Sequence, residues 1–390
     1  MRWLFLSLAA ALFALSLLTW VKAWNTVVWK AAIVAGEFGH YLGIVTLVLT
    51  CVIVAYGAVA VGEGQPFWRA GIVAALLALA ATGLFLSPLA FAMRVGQSLP
   101  AKWETGFGAK LSTGKAIDLQ RMWIPLPAIQ PVAVQTHEFT PTDWSESLKL
   151  DFYATERSGA PVVVVVHGGG WDSGDRTQLA EFNHWLAGEG YNVAAISYRL
   201  APRYPWPAQR DDTLQAIRWL KANAAQLRID ATRLVLMGRS AGAQITAAVA
   251  YGAPDPAVRG VVGLYGVYDM SFVWSISRPD DVLNSTRLMN QYLGGAPTPA
   301  NQAAYDSASA QGLVRRGQAP PTLLMHGTVD NLCWVKHSQR LAGRLAASDV
   351  PHAYIELPWA VHAFDFNLNG PGGQLTTYAV REFLATTTRR

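Results

Sequence analysis

Three stretches with no formal charge, Trp3 to Val21, Phe38 to Gly62 and Ala70 to Met93, fall within the first hundred residues. Nothing else in the chain restricts its folding so strongly. Each is long enough to cross a hydrocarbon core of ~30 Å as a helix. Buried helices of a soluble domain are another reading, which three such stretches in fewer than 100 residues oppose. Only 15% of the chain is charged, against the quarter usual for soluble domains, and the deficit sits in these stretches. A cleaved leader is one other reading of the first stretch, because Arg2 precedes an apolar run. Val21-Lys22-Ala23-Trp24 is a poor small-residue cleavage site, however, and two more stretches follow. The pattern predicts a transmembrane region over 1–94, with spans at about 3–21, 41–61 and 70–93, and membrane lipids as partners. Trp20, Trp24, Tyr41 and Trp68 stand near span ends, where interfacial aromatics belong. Glu37 and His40 border the second span and are expected at the interface.

Three spans put the two termini on opposite sides. Arg2 and Arg69 lie on the amino-terminal side, with Glu63; Lys22, Lys30, Arg94 and Lys102 lie on the other. Lys and Arg near span ends mark the cytoplasmic face, so the tally favours a cytoplasmic carboxyl-terminal region and a tail at Arg390 shielded from outside reagents. Arg2 ahead of the first span argues the other way.

The net charge of +5 is spread along the chain without a Lys/Arg block, so no nucleic-acid partner is expected. Cys51 lies in a span and Cys333 far from it, which predicts no disulfide. Residues 95–146, with Pro100, Pro125, Pro127, Pro131 and Pro141, predict an irregular linker along the membrane surface. From 147 to 390 strand-like and helix-like segments alternate: "SLKLDFYAT", the valine run 162–166, a helix near 178–188, "YNVAAISY", and helix "DDTLQAIRWLKANAAQL". "RLVLM", "AGAQITAAVA", "VVGLYG", "PTLLMHG", "KHSQRLAGRLAAS", "HAYIEL" and a final helix complete the series. This predicts an α/β domain, a mostly parallel sheet flanked by helices.

Two motifs carry chemistry. "VVVVVHGGGWDSGD" runs from the stiffest strand formers into a His and three glycines. "RLVLMGRSAGAQITAAVA" sets Gly238-Arg239-Ser240-Ala241-Gly242 between a strand and an Ala-rich helix, the context of a nucleophile elbow. In a chain with 34 glycines G-x-S-x-G alone is weak, and a plain helix-capping serine is the competing reading. A serine needs a base, and the base a third group to orient it. The order Ser, acid, His is met by Asp330 in "HGTVDN" and His362 in "PWAVHAFD", both just past strands. Asp269 in "YGVYD" is the rival acid, expected to brace a loop. His326 precedes the candidate acid, and His184, His337 and His352 fall in or at the start of regular elements. Acyl transfer develops charge on a carbonyl oxygen, so the N–H groups of Gly169, Gly170 and Ala241 are the candidate oxyanion donors, with His167 ordering their loop.

"HGGGWDSGD", "YRLAPRYPWPAQRDD", "GRSAG", "HGTVD" and "VHAFD" resemble, in order and spacing, the α/β-hydrolase esterases related to hormone-sensitive lipase. They are most similar to the bacterial carboxylesterase branch with feruloyl- and acetyl-esterase-like members. The resemblance covers about 147–388 and implies an α/β-hydrolase fold, with Ser240 as nucleophile, Asp330 and His362 as its partners, and an HGGG oxyanion loop. It implies an ester or lipid substrate and, with the spans, a multi-pass protein of a bacterial inner membrane; with no zinc-ligand spacing and no phosphate loop in the sequence, no cofactor and no metal are expected. Arg239 departs from the usual Asp, Glu or His and sets a cation beside the nucleophile; Ala243 and Ala363 stand where Gly is common. The same motifs serve acyltransferases and amide or peptide hydrolases, and a silent receptor or scaffold is the reading from another class.

Overall fold

Successive side chains of a strand point to opposite faces, so a run of valines needs cover on both sides. The computed structural model describes residues 1–63, 68–112, 114–123, 130–141, 144 and 146–389. Pro125, Pro127, Arg390 and the Trp68 side chain lie outside the described residues. Among these residues one sheet contains β1 (Val134–Glu138), β2 (Lys149–Tyr153), β3 (Ala160–Val166), β4 (Asn192–Ile196), β5 (Ile229–Arg239), β6 (Val258–Leu264), β7 (Thr322–Gly327) and β8 (His352–Leu357). Their order is β1-β2-β4-β3-β5-β6-β7-β8. β2 runs antiparallel to β1 and β4; all pairings from β4 to β8 are parallel. Val162, Val164 and Val166 enter the core on one face, and Val163 and Val165 the core on the other. Helices cover both faces, as two-sided apolar strands require.

The amino-terminal region contains α1 (Arg2–Ser16), α2 (Thr26–Glu37), α3 (Gly39–Gly62) and α4 (Trp68–Phe107). α1 tightens into a 3-10 turn over Leu17–Thr19, so the first long apolar helix closes two residues before Val21. α1 with this turn, α3 and α4 are long and apolar enough to cross a membrane. Close approach and a buried hydroxyl pair join α3 to α4. A Cβ on Gly39 would strike the Phe85 carbonyl, and Thr82 Oγ1 donates to Thr46 Oγ1 at 2.8 Å. Small residues and polar contacts of this kind hold helices together in lipid.

Two sequence expectations change here. The irregular segment expected over 95–146 begins instead as helix, because α4 runs on to Phe107 through Pro88 and Pro100. Its forty residues reach about 60 Å, twice a bilayer core. The far end packs Ala92, Leu99 and Trp103 into the sheet's second core, with Trp103 Nε1 donating to Thr386 Oγ1 (3.1 Å). Further on, the same segment supplies edge strand β1. Glu37, expected at the membrane interface, is buried against the carboxyl-terminal helix Pro371–Thr387.

Candidate active site

The carboxyl ends of β3, β5, β7 and β8 meet along one edge of the sheet, where open α/β sheets bind ligands. Ser240 follows β5 directly. Its backbone, φ 53° and ψ −120°, lies in a region that side-chain-bearing residues rarely adopt, and its hydroxyl makes no capping bond to the helix Ala241–Gly252. Gly238 and Gly242 permit the sharp turn. A Cβ on Gly242 would enter the Val166 carbonyl oxygen, and one on Gly238 the carbonyl of Gly242. Val166 pairs with Gly238, so the glycine loop after β3 comes level with Ser240.

Asp330 follows β7 and His362 follows β8. His362 Nδ1 lies 2.7 Å from Asp330 Oδ2. Asp330 Oδ1 accepts the N–H groups of Leu332 and Cys333, both at 2.9 Å, and His326 Nε2 stands 3.4 Å from Oδ2. Burial alone raises the pKa of Asp330. The His362 charge and the hydrogen bonds from His326 and His362 outweigh it and hold the carboxyl well below the usual range. Ser240 Oγ lies 3.9 Å from Cys333 Sγ, whose thiol burial pushes up, with the Asp330 charge adding to the effect. That sulfur is a neutral neighbour.

In the glycine loop Gly168 N–H is taken by Gln178 Oε1 at 2.8 Å. Gly169 (φ +121°) and Gly170 (φ +57°) take conformations that favour glycine. Their N–H groups, and that of Ala241, have no acceptor among the described residues. His167 stacks on Tyr198 (centroids 4.1 Å apart), and its Nδ1 lies 2.7 Å from the Gly168 carbonyl. Burial lowers its pKa to about 4, so the ring is neutral at pH 7. Asp269 instead caps the helix Met270–Ile276 through Phe272 N–H (3.0 Å) and pairs with Arg340 at 2.5 Å.

Arg239 is not a free cation beside Ser240. Its Nε lies 2.6 Å from Asp365 Oδ2 and its guanidinium lies over the Phe182 ring. Asp365 Oδ1 accepts the Tyr265 hydroxyl at 2.6 Å, and the Tyr265 ring packs on His362 (4.4 Å). Ala363 sits at φ +66°, which explains why glycine suits that position.

Ser240, His362, Gly169 and Gly170 line one cleft of ≈ 490 Å³, within the range of small-molecule sites. Larger hollows of ≈ 640 and ≈ 840 Å³ lie at the opposite strand ends, beside Pro321 and Pro351, away from this chemistry. One cleft residue has no signal in the sequence: Trp29, on α2, lines the wall and donates from Nε1 to the His362 carbonyl (3.1 Å). Among the described residues no group of three His, Cys, Asp or Glu is placed to hold a metal ion.

Residues 150–345, half of the chain, match the family described as BD-FAE. The chain belongs to this family. Among similar sequences are two from Mycobacterium tuberculosis (strain ATCC 25618 / H37Rv), "Probable carboxylic ester hydrolase LipM" and "Esterase LipC". Each is 31% identical over 239 residues, 58% of this chain and 54% and 58% of their own lengths. The chain thus spans little more than half of each relative. Solved structures give the same architecture. Esterase LipW from Mycobacterium marinum superimposes with a TM-score of 0.57 at 24% identity, over 80% of this chain and 91% of LipW. A bacterial heroin esterase gives 0.59 at 21% identity, over 76% and 92%. The BD-FAE chain has the α/β-hydrolase fold, preceded by three long apolar helices.

Proposed function

We propose that the chain is a membrane-anchored serine hydrolase that cleaves carboxylic esters of short- to medium-chain acids or lipids. One observation carries the reading: the Asp330–His362 pair at 2.7 Å opens into the same cleft as a serine on a strained turn. The esterase names of the relatives support it.

With Asp330 ionised, the proton of His362 belongs on Nδ1, which leaves Nε2 free to act as base. His362 takes the Ser240 proton as Oγ attacks the ester carbonyl. The N–H groups of Gly169, Gly170 and Ala241 stabilise the oxyanion. His362 then returns the proton to the leaving alcohol, and water repeats the cycle on the acyl-enzyme. In this reading residues 1–94 anchor the chain and 147–390 carry the chemistry. α2 and the far end of α4 both meet the hydrolase, which agrees with three spans and a catalytic region on the α1–α3 loop side.

A fluorophosphonate probe tests the nucleophile. It should label the wild-type protein and leave Ser240→Ala unlabelled. Equal labelling of the two would refute the assignment, and absence of labelling in both would favour a silent scaffold.

A further inference from the structure

The segment between the first two spans sits on the site itself. Ala32 of α2 packs with Val329 and Val361, flanked by Leu18, Trp29 and Ile33, so the helix covers the loops that carry Asp330 and His362. Polar contacts fix the same seat. Trp29 Nε1 donates to the His362 carbonyl (3.1 Å), Asn331 Nδ2 donates to the Ala23 carbonyl, and the Lys22 ammonium lies over the Trp334 ring.

Both ends of this segment run straight into spans: Thr19 closes the first and Gly39 opens the second. Trp29 precedes Gly39 by ten residues, about 15 Å of helix, so the cleft wall stands near the start of the second span, and Leu18, at the end of the first, packs in the same cluster. Apolar side chains line much of the cleft with Trp29, among them Leu283, Leu288, Leu332 and Phe366, beside the Asp172–Arg287 ion pair (2.8 Å), and Phe366 is 54% exposed. Trp20, Trp24 and Val27 on the connecting segment are 55, 66 and 76% exposed, an aromatic-rich surface of the kind found where protein meets headgroups.

We infer that the cleft draws its ester from the bilayer. The substrate is a membrane-dissolved amphiphile whose hydrocarbon chain lies along Trp29, Leu288 and Phe366, and Trp29 sets the chain preference. This rests on the esterase reading. It deepens that reading by assigning part of the substrate wall to the membrane region.

The test uses the full chain reconstituted in phosphatidylcholine vesicles. para-Nitrophenyl palmitate is supplied either in the same vesicles or in separate protein-free ones, with soluble para-nitrophenyl acetate alongside. Palmitate in the same bilayer should be hydrolysed at a rate set by its mole fraction there, and palmitate in separate vesicles only as fast as it exchanges. Trp29→Ala should lower the palmitate-to-acetate ratio of kcat/KM on the order of 10-fold, the scale of pocket discrimination among methylenes. Trp29→Phe, which keeps an apolar ring, should restore most of it. Equal hydrolysis from both vesicle populations, or a ratio that Trp29→Ala leaves unchanged, would overturn the inference. Loss of turnover on both esters, with Ser240 unlabelled by the fluorophosphonate, would overturn the esterase reading and this one with it.

Discussion

Glu37 ties α2 to the carboxyl-terminal helix through a buried carboxyl, and its titration should be visible in stability. Oε2 accepts the Gly372 N–H at 2.8 Å and Oε1 the Trp359 Nε1–H at 3.3 Å, while the Glu37 carbonyl accepts from Asn367 Nδ2 at 3.1 Å. Burial raises its pKa from 4.5 to about 8; the bonds from Gly372 and Trp359 oppose that rise, and the charge of Asp365 adds to it. The folded value lies above the unfolded one, so the proton's stabilising contribution is complete below 4.5 and is lost as pH climbs through about 8. Between those limits stability should fall by up to ~1.4 kcal/mol per pH unit, roughly 5 kcal/mol in all. Glu37→Gln removes the titration. Its amide oxygen can keep the Gly372 bond, but its NH₂ meets the Trp359 donor and forfeits a long bond worth about 1 kcal/mol. The assay is the thermal midpoint of both proteins in detergent at one scan rate, from about pH 5 to pH 9. The variant should be the less stable protein at the acid end and the more stable at the alkaline end. Parallel curves across the range would refute the argument.

Three further outcomes follow from the site. Ser240→Ala and His362→Ala should each abolish ester turnover in folded protein, and the double variant should be hardly worse than either, as measured by kcat. Asp330→Asn should lower kcat on the order of 10⁴-fold by losing the imidazole's orientation. Asp269→Asn, which touches only a helix cap and Arg340, should be mild, and the reverse ranking would reassign the acid. Gly169→Pro removes one N–H and cannot keep φ +121°, so kcat should drop at least ~10²-fold with circular dichroism unchanged.

The sheet was legible because its strands are buried on two sides, which leaves no polar alternation to blur runs such as Val162 to Val166. The nucleophile turn was legible because close backbone approach leaves glycine little competition at Gly238 and Gly242. β1 was not: "VQTHE" is an edge strand, largely exposed, and carries no apolar pattern. The far half of α4 was hidden by Pro100, which with the later prolines read as an irregular linker. Leu99 and Trp103, four apart, turn to one side and are buried, so packing overrides local propensity there. Trp29 had no pattern to betray it, because its meaning depends on where α2 lands.

Arg239 shows how a local departure can be settled at a distance. Read alone, it sets a positive charge beside the nucleophile, where it would bias acyl choice. A guanidinium so nearly buried is tolerated only when paired and hydrogen-bonded. Its partner, Asp365, lies three residues past His362 on the same loop. The pair therefore clamps the strand end that carries Ser240 to the loop that carries His362, and Tyr265 closes the link by donating to Asp365 while its ring packs on His362. Removing one member of such a pair costs about 3–5 kcal/mol, because the other charge is left buried and alone. The arginine and the aspartate are thus one feature written in two motifs, "GRSAG" and "VHAFD", and its consequence is the spacing between Ser240 and His362, with the arginine's charge offset by the aspartate's.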